Sequence, residues 1–244
     1  MNLKPILRYH AKEGATALAW FYGILLVAGA GAYFLFRYLI ARYGGSSAQV
    51  TMGGAIGITG FFLFIAGLNS YRTELFLSLQ NGISRKTLFV SLLILGAALA
   101  AVTGGMGLLI DYEMRTLTRP LGLNILSFEE ILVPASPVPL LSRFLAVSFM
   151  NGSAFFAGVL ITTLFYRLNT PGKVLVPVGA GILLIALSFY DASTGRMTGF
   201  AQSVADFSRA GIPQFLLVSA IVAVLLFGFT WLLQRRAQIK TNLS

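Results

Sequence analysis

The chain contains no cysteine and one histidine, His10. The first absence excludes disulfides and thiolate metal sites. The second leaves no histidine cluster for zinc. It also leaves no imidazole to pair with a serine inside the apolar stretches, since His10 lies in the N-terminal segment. Intramembrane serine or metal proteolysis therefore has no residues to work with. Charge is equally scarce: 11% of the 244 residues are charged, against about 25% in a soluble domain. With 57% hydrophobic residues and a mean hydropathy of +0.81, much of the surface must face lipid. No G-x-x-x-x-G-K-[ST] run occurs. Gly172-Lys173 is followed by Val174 and lacks the first glycine, so any use of ATP falls to another subunit. The carboxylates are scattered without a catalytic pairing. We read the chain as a non-enzyme, with no metal site and no cofactor of its own.

What is present is a set of long apolar runs. A spanning helix needs roughly 20 mostly apolar residues, and six segments qualify: 15–36, 50–71, 88–110, 139–165, 174–190 and 214–233. The runs are continuous and do not alternate, which predicts helices rather than barrel strands. The first is too long for a cleaved signal; the fifth is short and carries Pro177, Gly179 and Gly181. The expected fold is an all-α integral membrane protein with six spans, a single transmembrane domain over residues 1–244.

Six spans put both termini on one side. That side carries Lys4, Arg8, Lys12, Arg72, Arg85, Lys86, Arg167, Lys173, Arg235, Arg236 and Lys240, with only Glu13 and Glu74 as acids. The other side carries the remaining seven basic residues and the remaining six acids. Basic excess marks the cytoplasmic face, so both termini and the 2–3 connection are expected in the cytoplasm. The net charge of +10 then reads as an orientation signal and attraction to anionic lipid, not as affinity for nucleic acid.

The connections are not plain turns. In residues 1–14, Leu3, Ile6 and Leu7 share a helical side while Lys4, Arg8 and Lys12 line another. This is either an interfacial helix in the headgroup plane or a simple basic anchor. Between spans two and three, Leu75, Phe76, Leu79 and Ile83 share one face and Glu74, Ser78, Gln80 and Asn81 fill the rest. Asn81-Gly82 is a helix terminator, Ser84 suits the N-cap of span three, and Arg85 and Lys86 follow at its electropositive end. Such a surface helix offers a partner something to dock against; a lipid-adsorbed hairpin is the plainer reading. Residues 191–213 place Phe200, Val204 and Phe207 on one face, as in a short helix dipping back toward the bilayer before span six, or in an exposed loop.

Small residues suit close helix contact: Gly53, Gly57, Gly60 and Gly67 on span two, and Gly96, Ala100 and Gly104 on span three. Asn69 and Asn151 read as helix–helix hydrogen bonds ahead of substrate contacts. Membrane-embedded carboxylates are nearly absent, which argues against an ion-coupled transporter.

Six spans, an N-terminal interfacial helix, a cytoplasmic helix between spans two and three and an outer helix before span six together resemble the ABC-2 type permeases. The run Leu79-Gln-Asn-Gly-Ile-Ser-Arg-Lys-Thr-Leu-Phe89 is similar to a string found in small Gram-positive members. Those pair with separate ATPases and serve in export of, or protection from, bacteriocins and amphipathic toxin peptides of the phenol-soluble modulin kind. The resemblance implies an exporter in a bacterial cytoplasmic membrane. It would have two permease copies, expected as a homodimer, and two ATPase copies that bind ATP and Mg. It assigns the ATPase contact to a coupling helix: Glu74, Leu75, Phe76, Leu79, Gln80, Asn81, Gly82, Ile83, Ser84, Arg85 and Lys86. It implies a pathway lined by spans two and five, here Phe61, Phe62, Phe64, Ile65, Asn69 and Pro177, suited to an apolar or amphipathic cargo such as a peptide. Gly53, Gly57 and Gly60 are the expected packing or dimer stripe. A non-transporting immunity, sensory or scaffold protein is the alternative.

Overall fold

The computed structural model describes residues 4–43, 55–80, 82, 84–118, 139–194 and 196–235. They form seven helices: α1 (Lys4–Tyr43), α2 (Ala55–Gln80), α3 (Arg85–Thr118), α4 (Leu140–Arg167), α5 (Thr170–Thr194), α6 (Arg196–Arg209) and α7 (Ile212–Arg235). Proline marks three of the starts. Pro5, Pro171 and Pro213 each stand second in their helix, where the missing N–H has no intrahelical partner to lose. Pro177 lies inside α5 and removes one interior hydrogen bond.

Five helices are long and apolar enough to cross a membrane: within α1 (Ala11–Leu39), α3 (Arg85–Met114), α4 (Leu140–Arg167), α5 (Pro171–Asp191) and α7 (Pro213–Arg235). The molecule is thus a multi-pass membrane protein. The second expected span, 50–71, is represented by a shorter apolar stretch, Gly57–Ser70, inside the 26-residue α2; residues 50–54 lie outside the described residues. The helix between spans five and six is present as α6.

Two expectations about element boundaries change. The N-terminal segment is no separate interfacial helix, because α1 runs unbroken through residue 14. Thr16 Oγ1 bonds back to the Lys12 carbonyl at 2.9 Å. A Cβ at Gly14 would stand 3.4 Å from Leu99 Cδ2, so the glycine serves contact with α3 instead of a break. Nor do residues 73–80 form a separate coupling helix: they are the last turns of α2. No glycine or proline interrupts the chain from Leu68 to Gln80. The polar pair at the junction is absorbed by back-bonding, Asn69 Nδ2 to Ile65 O (3.1 Å) and Ser70 Oγ to Ala66 O (2.7 Å).

Helix directions follow from paired residues. Gly60 faces Asn151, Phe64 meets Gly158, and Leu68 accepts a 2.7 Å bond from Thr162 Oγ1, so α2 and α4 run parallel. Gly96 meets Phe155, Ala100 meets Gly152 and Gly104 meets Ser148, so α3 runs against α4. Gly14 near Leu95 and Leu99, and Gly29 near Met114, set α1 parallel to α3. Phe89 packs on Phe227 and Trp231 with ring centroids 4.7 and 4.8 Å away, and Phe156 on Phe227 at 5.9 Å. These contacts bring α7 against α3 and α4.

The core sits where α2, α3 and α4 meet: Leu63, Leu88, Leu92, Phe155, Phe156 and Val159. α4 is the central element, burying Val147, Asn151, Phe155, Val159 and Thr163 at helical spacing. Among these apolar residues Asn151 donates a 3.0 Å bond to Thr103 Oγ1 of α3, a helix–helix bond as expected. Asn69, by contrast, bonds its own helix. Asn151→Leu should lower stability by about 1 kcal/mol, read as thermal unfolding in detergent. Adding Thr103→Val should cost little more, because the shared bond is already gone.

Candidate functional site

The junction between α2 and α3 is built from backbone requirements. α2 ends at Gln80, and Gly82 takes φ +67, the sole left-handed residue among those described. Only glycine adopts that conformation without a Cβ penalty, which is why the terminator at 82 is glycine. Ser84 then caps α3. Its Oγ accepts from Thr87 N at 3.2 Å and pairs with Thr87 Oγ1 at 2.7 Å, while Leu88 N donates to Ser84 O at 3.0 Å. The cap predicted at Ser84 and the glycine stop at Gly82 are both in place.

Beyond the cap the chain plunges into the core. Gly82, Ser84 and Lys86 are exposed and Arg85 half-buried, whereas Thr87, Leu88 and Phe89 are buried and Ser91 and Leu92 wholly so. Leu88 and Leu92 belong to the central cluster, and Phe89 rests on the end of α7. Arg85 and Lys86 belong to α3, so a force applied to them passes directly to the buried start of α3 and to α7 beside it. Asn81, Ile83 and the side chains of Glu74, Leu75, Phe76, Leu79 and Gln80 lie outside the described residues, as does Gly53.

The expected pathway residues divide: Phe62, Ile65 and Asn69 line one cavity, and Phe61, Phe64 and Pro177 are not in its lining. Phe61 is exposed, and Phe62 stacks on Phe21 of α1 with centroids 4.1 Å apart at 20°. Phe64 is half-buried, with its carbonyl against Gly158. Ile65 and Asn69 open into a cavity between α1, α2 and α3. Pro177 is exposed on α5, which makes only sparse contact with α1 to α4. The glycine stripe divides as well. Gly57 has nothing within 4 Å, Gly60 faces Asn151 Oδ1 at 3.5 Å, and Gly67 is pressed on the α4 backbone.

Three features escaped the sequence reading. One is Gly158, the reciprocal partner of Gly67. Another is the cavity of about 300 Å³ that includes Glu13, Asn69 and Ser70 in its lining; its signal was available, since Glu13 is the sole acid of α1. The third is the corner between α5 and α6. There Asp191 accepts from Thr198 N at 2.8 Å and from its hydroxyl, and so satisfies a donor in the first turn of α6.

Comparison with protein families, with curated proteins and with solved structures finds no match to this chain.

Proposed function

We infer that the chain is the membrane permease of an ABC exporter of the ABC-2 type, moving an apolar or amphipathic cargo, a peptide above all, with ATP hydrolysed by a separate subunit. The observation that carries this reading is the α2–α3 junction: Gly82, Ser84 and Lys86 are exposed, and the very next residues, Thr87 to Phe89, are buried in the core. A connection that served only to turn the chain would need no such rigid attachment. An ATPase docked there would move α3 and α7 with each closure.

The helix directions support six crossings. α2 lies parallel to α4, flanked by spans, and at 26 residues reaches about 39 Å, more than the roughly 30 Å hydrocarbon layer. Crossings one and three run one way, and two and four the other. With α5 and α7 as the fifth and sixth, both termini fall on the side of the basic excess, the cytoplasm. The exposed faces of α2 and α5, with Phe61 and Pro177, would line a path between two copies of the chain. Export then proceeds by rocking of spans as units while the permease itself makes and breaks no bonds.

The test is co-purification with a stand-alone ABC ATPase encoded beside this chain, and ATP-driven peptide transport in liposomes. Glu74→Arg is expected to reduce ATPase association by about tenfold, the worth of a charged hydrogen bond turned repulsive. A chain that binds no ATPase, or an unchanged association in this variant together with unchanged transport, sinks the coupling role and favours an immunity or scaffold protein.

A further inference from the structure

The cavity between α1, α2 and α3 has a polar end and an apolar end. Tyr9, Glu13, Asn69 and Ser70 stand at the first; Phe62, Ile65 and Leu99 wall the second. Two of its donors are spent. The only hydroxyl hydrogen of Ser70 goes to Ala66 O, and an amide hydrogen of Asn69 goes to Ile65 O. Lone pairs on Ser70 Oγ and Asn69 Oδ1 remain, together with the Glu13 carboxylate. Among the described residues Glu13 has no ion-pair partner. The polar end is thus rich in acceptors, carries one negative charge, and opens onto apolar walls.

We propose that this cavity binds the lysine ammonium of an amphipathic peptide, the ammonium held by Glu13, Asn69 and Ser70 and the adjoining apolar side chains laid along Phe62, Ile65 and Leu99. An ammonium has three N–H donors and no acceptor, which complements the Glu13 carboxylate and the oxygen acceptors beside it. A volume of about 300 Å³ lies at the small end of ligand pockets and holds one side chain with its neighbours, not a whole helix. A zwitterionic lipid head is a poorer fit, because it brings a phosphate and, among the described residues, no lysine or arginine lines the cavity. The assignment deepens the cargo reading by making Glu13 the residue that selects cationic peptides, and its binding step requires no ATPase.

The experiment uses the full chain, without any ATPase, in phosphatidylcholine nanodiscs. A fluorescent leucine- and lysine-containing amphipathic helix is titrated against filled and empty discs. The expected result is saturable binding to filled discs, weakened about tenfold by Glu13→Gln and to a similar degree by acetylating the peptide lysines, with no further loss when both changes are combined. Ile65→Trp, which fills the apolar end, should also weaken binding while Glu13 stays intact. Equal binding by wild type and Glu13→Gln, both folded by thermal unfolding, overturns the proposal. So does displacement of the bound peptide by phosphatidylethanolamine at lipid-like concentrations, which would give the cavity to a headgroup. Loss of ATPase association alone leaves this result standing, and loss of peptide binding alone leaves the ATPase contact standing, so the two readings fail separately.

Discussion

Gly158→Leu is expected to prevent this bundle from assembling. At the α2–α4 crossing the two backbones touch. A Cβ on Gly158 would stand 2.8 Å from Leu68 N and 3.1 Å from the Gly67 carbonyl carbon, and would overlap the Phe64 carbonyl oxygen. A Cβ on Gly67 meets the same obstacle from the other side, 3.0 Å from the Phe155 carbonyl carbon and 3.2 Å from Val159 N. These neighbours are backbone and cannot rotate away, so the helices themselves must part. Parting them opens the core around Leu63, Phe155 and Val159 and breaks the 2.7 Å bond from Thr162 to Leu68. Overpacking a core costs typically 1–3 kcal/mol, and a leucine here should reach about 3 kcal/mol or more. Gly158→Ala should already be harmful. Gly67→Ala with Gly158→Ala should cost less than the sum of the two, because the first separation makes room for the second methyl. Gly57→Ala, with nothing among the described residues within 4 Å, should be silent. Thermal unfolding and the monodisperse yield in detergent measure all five, the Gly67→Ala single included. A Gly158→Leu protein as stable as the parent would show that the two helices do not meet at this point.

The contrast between Gly57 and Gly67 shows how far the sequence can be read. Both lie on one face of the same helix, and periodicity treats them alike. Which one meets another backbone depends on where α4 crosses, a fact held by α4 and not by α2. Span positions were legible because lipid imposes a length and a composition on each crossing. The ends of elements were legible where a residue has few conformational alternatives, as at Gly82 and Ser84. They were not legible where polarity alone was the cue. The polar onset at Asn69 and Ser70 looked like the end of a span, yet both side chains bond back to carbonyls one turn earlier and the helix continues to Gln80. The same back-bonding hides Thr163 and Thr230 in the core, each donating to its own helix at 2.7 Å. The Glu13 cavity was only partly legible: Glu13 stands out as the sole acid of α1, but Asn69 and Ser70 reach it from α2, more than fifty residues away in the chain.

Gly82→Val is expected to uncouple the chain from the ATPase proposed to dock at this junction while leaving it folded. The residue's φ of +67 is disfavoured for any side chain by about 1–2 kcal/mol, and a β-branched residue is a worse fit still. The strain is relieved by moving the short link, since Gly82 is exposed, has nothing among the described residues within 4 Å of its Cβ position, and lies between two helices that are held elsewhere. α3 keeps its Ser84 cap and its buried first turn, so unfolding temperature and yield should hardly change. What changes is the aim of the last turns of α2 relative to α3, which sets the shape a docking ATPase must meet. At about 1.4 kcal/mol per factor of ten, ATPase association and transport should both fall roughly tenfold or more. Gly82→Asn supplies the control, because asparagine visits the left-handed region and should retain most of the coupling. Gly82→Pro should be as damaging as valine, since proline is held near φ −65. If valine and asparagine reduce association equally, side-chain bulk and not backbone geometry governs this contact; if neither reduces it, the ATPase engages the chain elsewhere.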